Sequence, residues 1–554
     1  MSLALAMGCA SIPPSKTSPP TAGELTQRLS EQALTLDGYD GYTRTVTTAA
    51  PEAQHWFNQG LQLVYGFSHD AGVWAFGKAA QEDSSCVMAW WGIAYGYGVD
   101  VNNANVSEQE AADAAAAARE AVIQSSYSES PVEQALAHAI AKRAVFPIPE
   151  DRKPLDEAYA ASMEAAWERF PNDPDVGALF AESLMNLQAW DYWTTEGEPL
   201  GRTKEIVSVL EEVLDAHPNH PGANHFYIHA MEASATPESA LPSARKLESL
   251  VPGSGHLVHM PSHIFVNVGR YAEAVKANQK AIEADDAYFN VVGKPTFYRL
   301  YFLHNMHFLA YAAMMEGRSE LALSAFAKME AETPEETLRM FAPKVDGIAN
   351  GRLHALVRFG KWKEILDQPE YPDFRLASRA MRAYARTIAL ANLGERAAAR
   401  KELVRFQGLA DAIPEEWAIG SNSAASIMEL ARNVAEGEVL WREGKTDQGL
   451  QMLREAVAQE DAMLYAEPPG WLFPVRHTLG ALLIAHGELE EAEDVYKNDL
   501  GHHPENAWSL LGLEQALRGQ GKIAEADSLA PRTAAAWARA DVEPPASCYC
   551  AVSL

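Results

Sequence analysis

Seven times along this chain a glycine is followed five residues later by a small or apolar residue. The pairs are Gly269 and Ala274, Gly317 and Ala322, Gly360 and Ile365, Gly394 and Ala399, Gly444 and Gly449, Gly487 and Ala492, and Gly521 and Ala526. Few architectures ask for that pattern. A helix that stops on a tight turn favours glycine there, because without a Cβ a positive φ carries no steric penalty. A second helix folding back on the first favours a small residue where the two cross closely. The pairs therefore predict antiparallel helix pairs repeated along the chain. From Glu24 onward the apolar spacing is helical almost throughout, with no convincing strand pattern. Ser107 to Ser125 reads as an Ala-rich helix with an acidic, solvated face, and Pro131 to Val145 and Pro154 to Phe170 continue the series until Pro171 closes it.

The histidines repeat as well. The stretch His217 to His307 holds nine of the seventeen, as His225-x3-His229-x2-Glu232, His256-x2-His259-x3-His263 and His304-x2-His307. Three- and four-residue spacing puts each group on one helical face. His225 to His259 and His229 to His263 are both 34 residues. From His256 to His304 and from His259 to His307 the step is 48, one period plus a 14-residue insertion placed around Val291 to Phe297.

A 34-residue period resembles the tetratricopeptide (TPR) superfamily. So do the first unit's landmarks, Trp56, Gly60 and Leu63 on one helix and Phe76 and Ala79 on the next, and the likeness runs over about residues 50 to 530. The resemblance implies an all-α fold, a right-handed superhelical solenoid of antiparallel helix pairs. It would occupy residues 24–541 as a single body with a His-rich groove around 217–307, and leave 542–554 as a loose tail. The segments HPNHPGANHFYIHAMEAS and PGSGHLVHMPSHIFVNVGRY, with Glu467-Pro-Pro-Gly-Trp471, look like a group of bacterial TPR proteins with the same His-rich stretches. That likeness implies no particular reaction, so function rests on the site.

Counted back from each repeat's small residue, His225, His259, His307 and His477 fall 15 before it, His229, His263 and His354 fall 11 before it, and His256 and His304 fall 18 before it. Offsets of 18, 15 and 11 form one stripe on the first helix of each pair. In TPR proteins that face lines the concave groove, so the resemblance implies imidazoles pointing into it. Neighbouring helices lie on the order of 10 Å apart, near enough for two histidines to share a metal about 2 Å from each nitrogen. The expected ligands are His225, His229, His259, His263 and His307, with Glu232, His256 and His304 as a second tier.

Seven imidazoles and a carboxylate exceed what one ion uses. Either two ions share the groove or some of these groups act behind the ligands or in proton transfer. Imidazole-rich, thiolate-free ligation suits copper, iron, zinc or nickel. The alternative is an adaptor whose groove takes a peptide or protein partner, but such grooves show Lys and Arg where these registers show His and Glu. A small-molecule substrate in the groove would make the chain a metal-dependent enzyme, redox or hydrolytic, and storage or delivery of the metal is a third use.

Other residues read more plainly. His55, His138, His486, His502 and His503 are expected to be ordinary core or surface residues, and His217 and His220, beside Pro218 and Pro221, to shape a turn. Asp70 is expected to cap a helix, with His69-Asp70 as a catalytic pair the weaker reading. Trp90, Trp91, Tyr95, Tyr97, Trp190, Tyr192 and Trp193 read as core, with Asp191 the polar residue among them to test and Glu182 a candidate for the groove.

Net charge is −30 over 554 residues, which argues against nucleic acid or an anionic membrane as partner. Cys9, Cys86, Cys548 and Cys550 are too few for a disulfide framework or a zinc module. Residues 1–23 open MSLALAMGCA and continue Pro-rich. They resemble the end of a bacterial lipoprotein signal with Cys9 as the lipidated residue, or else a plain N-terminal tail. The first reading places the protein in the bacterial cell envelope, on a membrane only through that anchor.

Overall fold

The computed structural model describes residues 18–293 and 297–551; Cys9, the segment around it and the middle of the expected insertion lie outside them. The described chain is all-α apart from one hairpin, Ala418–Ile419 paired antiparallel with Asn422–Ser423. No strand is legible there because two residues a side give no alternation. Gly420, at φ +61°, makes its turn.

The chain forms two compact bodies that exchange segments: 18–264 with Gln279–Phe302, and Phe265–Asn278 with 303–551. The first is a run of helices, each packed on the next. They are Pro51–Tyr65, His69–Glu82, Val87–Gly96, Glu108–Ser125, Pro131–Arg143, Lys153–Arg169, Pro174–Leu187, Thr203–Ala216 and Pro221–Met231. Local chemistry sets their starts. Ser107 and Glu110 cap each other's backbone at the head of Glu108–Ser125, and Asp173 accepts from the Asp175 and Val176 amides ahead of Pro174. Glycine lets the helices close on one another. Gly92 backs onto the buried ring of Phe76, where a Cβ would lie 2.5 Å from Cδ1. The expected cap at Asp70 is corrected: the helix begins at His69 with no side-chain cap, and Asp70 merely sits in its first, dipole-favoured turn.

The second body carries all seven glycine pairs. Each glycine sits at positive φ, from +62° at Gly360 to +96° at Gly487. Ala274, Ala322, Ile365, Ala399, Ala492 and Ala526 are fully buried. Four pairs are plain helical hairpins: Leu376–Asn392 with Arg396–Ala410, Ala424–Arg442 with Thr446–Asp461, Val475–His486 with Leu489–His502, and Ala507–Gly519 with Ile523–Trp537. At Gly487 the left-handed residue lets the Gly487 and Glu488 amides reach back to the Leu483 carbonyl, closing the helix end.

The loose tail expected from Val542 is also corrected. Ser547 is fully buried, donating to the His477 carbonyl at 2.7 Å and pairing with the Tyr496 hydroxyl at 2.6 Å. Arg442 donates to the Cys550 carbonyl, and Cys548 and Cys550 are joined by a disulfide. The anchoring comes from backbone carbonyls and one hydroxyl, groups that leave no periodic trace in a sequence.

Candidate metal centre

The site in the first body is built on two short helical stretches. Pro221–Met231 starts on His220, whose Nδ1 accepts from the Ala223 amide at 3.0 Å, with Pro221 as first helical residue. The turn role expected of His220 is therefore a cap. Its Nε2 faces Asp175 at 3.2 Å, and Asp175 also accepts from Tyr42, from Tyr65 at 2.6 Å and from Arg44 at 2.8 Å. Burial would raise the Asp175 carboxyl, but Arg44 and His220 hold it well below the usual range. The second stretch, Gly255–His259, is capped by Ser254 and resumes at Pro261, which has no amide proton to continue the ladder.

These stretches bring together six of the eight expected residues. His225, His229, Glu232, His256, His259 and His263 are each at most 5% exposed. One ring nitrogen each from His225, His229 and His256 lie within 4.8 Å of one another. His225 Nε2 and His256 Nε2 are 3.0 Å apart, and His259 Nε2 and His263 Nε2 are 2.8 Å apart. His256 thus sits level with His225 and His229 rather than behind them. Glu232 is the residue that stands behind, with Oε1 2.9 Å from His229 Nδ1 and Oε2 2.5 Å from His263 Nδ1.

Those contacts fix the imidazole tautomers. The Tyr65 carbonyl, 2.7 Å from His225 Nδ1, can only accept, so Nδ1 carries the proton and Nε2 presents a lone pair. The Glu232 carboxylate does the same for His229, whose Nε2 meets no hydrogen-bonding partner among the described residues. Burial, then the neighbouring imidazole of His229, pushes His225 well below the usual histidine range, and burial followed by His225 does so for His256. Burial lowers His229 too, against the pull of Glu232. Burial would raise Glu232, but His263 and His229 hold it down as a carboxylate. Neutral, oriented imidazoles backed by a carboxylate are the donor chemistry of a transition-metal site.

Three residues outside the expected set complete the surroundings. The Phe67 ring lies 4.6 Å from that of His225 and 5.1 Å from that of His256, held at φ +56°, a strained backbone for a bulky residue. Trp190, also at positive φ, presents its ring to His229 at 5.1 Å and donates from Nε1 to the Val101 carbonyl. Tyr301 packs on His256 at 4.7 Å. The expected core reading of Trp190 missed this. Only its lack of a periodic partner could have flagged it, and Phe67 carries no signal beyond the preceding Gly66. Asp191 is exposed, whereas Glu182 is buried in Pro174–Leu187.

His304 and His307 lie on Tyr298–Met315 and belong to the second body. There the His307 ring packs near Phe326, and His307, His354 and the Glu467-Pro468-Pro469-Gly470 loop line a small pocket. His477, in the same register, forms instead a buried pair with Asp499 at 2.9 Å. His55, His138 and His486 are at the surface, and His69 Nδ1 bonds the Gly96 carbonyl at 2.9 Å rather than pairing with Asp70.

No protein-family model and no curated protein matches this chain. Among solved structures, the human IFIT1 dimer with m7Gppp-AAAA is similar over 93% of this chain and 94% of that one, at 12% identity and a TM-score of 0.32. The human IFIT1 dimer with PPP-AAAA is similar over 92% and 93%, at 12% identity and a TM-score of 0.30. Likeness at this level assigns neither a family nor a ligand.

Proposed function

We propose that the chain is a metalloprotein that binds a transition-metal ion through His225, His229 and His256, with His259 and His263 as further donors and Glu232 as the carboxylate that orients them. The observation that carries this is the buried cluster of three imidazole nitrogens within 4.8 Å. Within that cluster His229 Nε2 and His256 Nδ1 meet no hydrogen-bonding partner among the described residues, and a bound ion would supply a partner for a lone pair there. The spacing fits: with bonds of about 2.1 Å, donors 3.0 Å apart subtend roughly 90° and donors 2.8 Å apart roughly 84°.

The donor set suits copper, iron, zinc or nickel, and the scarcity of carboxylates and absence of thiolates favour redox use over hydrolysis. A bound ion would supply Lewis acidity or electron transfer. The protein's own part is to hold Nε2 lone pairs inward, exclude water with Phe67, Trp190 and Tyr301, and keep the carboxylate of Glu232 on the Nδ1 protons. Lipid anchoring at Cys9, and with it a bacterial envelope location, is proposed from the N-terminal residues alone and is checked by fatty-acid labelling of the full-length chain.

The test is metal analysis of protein purified without a polyhistidine tag, before and after reconstitution with each candidate ion, beside a His225→Ala/His256→Ala double variant. Wild type is expected to retain metal that the double variant loses. If it holds no more than the double variant with any ion, the metal reading fails and the groove is that of an adaptor for a peptide or protein.

A further inference from the structure

The helix Pro131–Arg143 ends in a buried guanidinium whose charge rests on two tyrosine rings and nearby carboxyl groups, while part of its N–H fork is left open. Arg143 is 3% exposed, and its Nε and Nη2 meet no hydrogen-bonding partner among the described residues. It lies over the Tyr159 ring at 4.3 Å and the Tyr95 ring at 5.3 Å, and only a glycine at 98 admits it, since a Cβ there would stand 2.8 Å from Nη2. Two further buried polar atoms, the Tyr159 hydroxyl and Glu182 Oε2, likewise meet no hydrogen-bonding partner among the described residues. Arg143, Glu182, Asp100 and Tyr159 act on one another's charge, which puts them in one neighbourhood. Buried N–H groups left without an acceptor are uncommon in a folded interior, and an acidic ligand would supply one.

We infer that Arg143 and Tyr159, with Glu182 and Asp100 beside them, form a subsite for the carboxylate of a small organic acid. The planar fork of the guanidinium matches a carboxylate through two parallel bonds, and the Tyr159 hydroxyl, on the ring that the guanidinium covers, is a further buried donor. A phosphate dianion fits less well, because two carboxyl groups stand close by. Burial pushes both Glu182 and Asp100 up to about 7, so that each spends part of its time as a donor rather than a repelling anion. Tyr301, which packs on His256, also feels the charge of Asp100. It does not depend on the metal reading and is tested on metal-free protein.

The experiment titrates acetate, succinate and benzoate, with benzamide as the uncharged control, into wild type, Arg143→Met and Tyr159→Phe, by calorimetry and thermal melting. Wild type is expected to bind at least one acid saturably and not benzamide. Arg143→Met is expected to weaken that binding by roughly 10- to 100-fold while melting no lower than wild type, because the N–H groups left without an acceptor are gone. Tyr159→Phe, which keeps the ring under the guanidinium, is expected to bind more weakly and remain folded even if Arg143→Met does not. A wild-type chain that binds none of the acids, or an Arg143→Met chain that binds as well as wild type, overturns the inference. So does an Arg143→Met chain that melts well below wild type while Tyr159→Phe binds as wild type does, which would make Arg143 a structural residue.

Discussion

Replacing Glu232 by glutamine tests the centre where its geometry is most specific. The carboxylate has an oxygen for each of two Nδ1–H groups, 2.9 Å away on His229 and 2.5 Å away on His263. Glutamine keeps the shape but offers one oxygen and one NH2. Whichever histidine faces the NH2 must turn its Nδ1 into an acceptor, which moves its proton to Nε2 and removes that nitrogen as a ligand. The loss of one such orienting partner weakens metal binding by about 10- to 100-fold, or about 1.4–2.7 kcal/mol. Equilibrium dialysis against Zn²⁺ and Co²⁺ measures it, with the visible spectrum of the cobalt form reporting the change in ligand set. Circular dichroism confirms that the variant is folded. An affinity and spectrum indistinguishable from wild type would falsify the assignment of Glu232 as the orienting carboxylate.

Four further outcomes are expected. Burial lowers His69 to about 4 from about 6.5 when unfolded. The unfolded chain therefore binds the extra proton, and this contribution of about 3 kcal/mol is complete above pH 6.5 and lost as pH falls toward 4; acid melts of His69→Gln should lose less stability across that window. Gly92→Ala drives a Cβ to 2.5 Å from the buried Phe76 ring and should cost about 1–3 kcal/mol in chemical denaturation, an unchanged midpoint speaking against this packing. Asp499 is buried and accepts from His477, Asn506 and Ser509, so Asp499→Asn should destabilise by about 3–5 kcal/mol, measured the same way. With a net charge of −30, a single-stranded oligonucleotide should show no salt-dependent binding in fluorescence anisotropy, and saturable binding that weakens with salt would contradict this.

The turn glycines were legible because positive φ is a local demand that each residue meets alone, and all seven meet it. The histidines were legible through register: the 34-residue step that joins His225 to His259 and His229 to His263 is a consequence of repeated helix pairs. What register cannot carry is which atoms meet across the repeat. His225 finds His256, three residues earlier than its counterpart, and Glu232 reaches His229 on its own helix and His263 on the next. Phe67, Trp190 and Tyr301 come to the centre from 158, 39 and 45 residues away from His225, His229 and His256, by packing that no short window contains. Arg143 closes an ordinary-looking helix, and that its Nε and Nη2 meet no hydrogen-bonding partner among the described residues is visible only once everything around it is in place.

The exchange of segments between the two bodies sets an order of events during synthesis. By the time His263 has been made, every donor proposed for the first body's centre exists, yet that body still lacks Gln279–Phe302, which brings Tyr301 onto His256 and the Tyr298 hydroxyl onto Asp285. Between the two comes Phe265–Asn278, which belongs elsewhere. A nascent chain therefore passes through a stage in which the imidazoles, Phe67 and Trp190 are present but Tyr301 is not. For the same reason a fragment cut at residue 264 would keep the imidazoles of the first body and lack the Tyr301 ring that packs on His256.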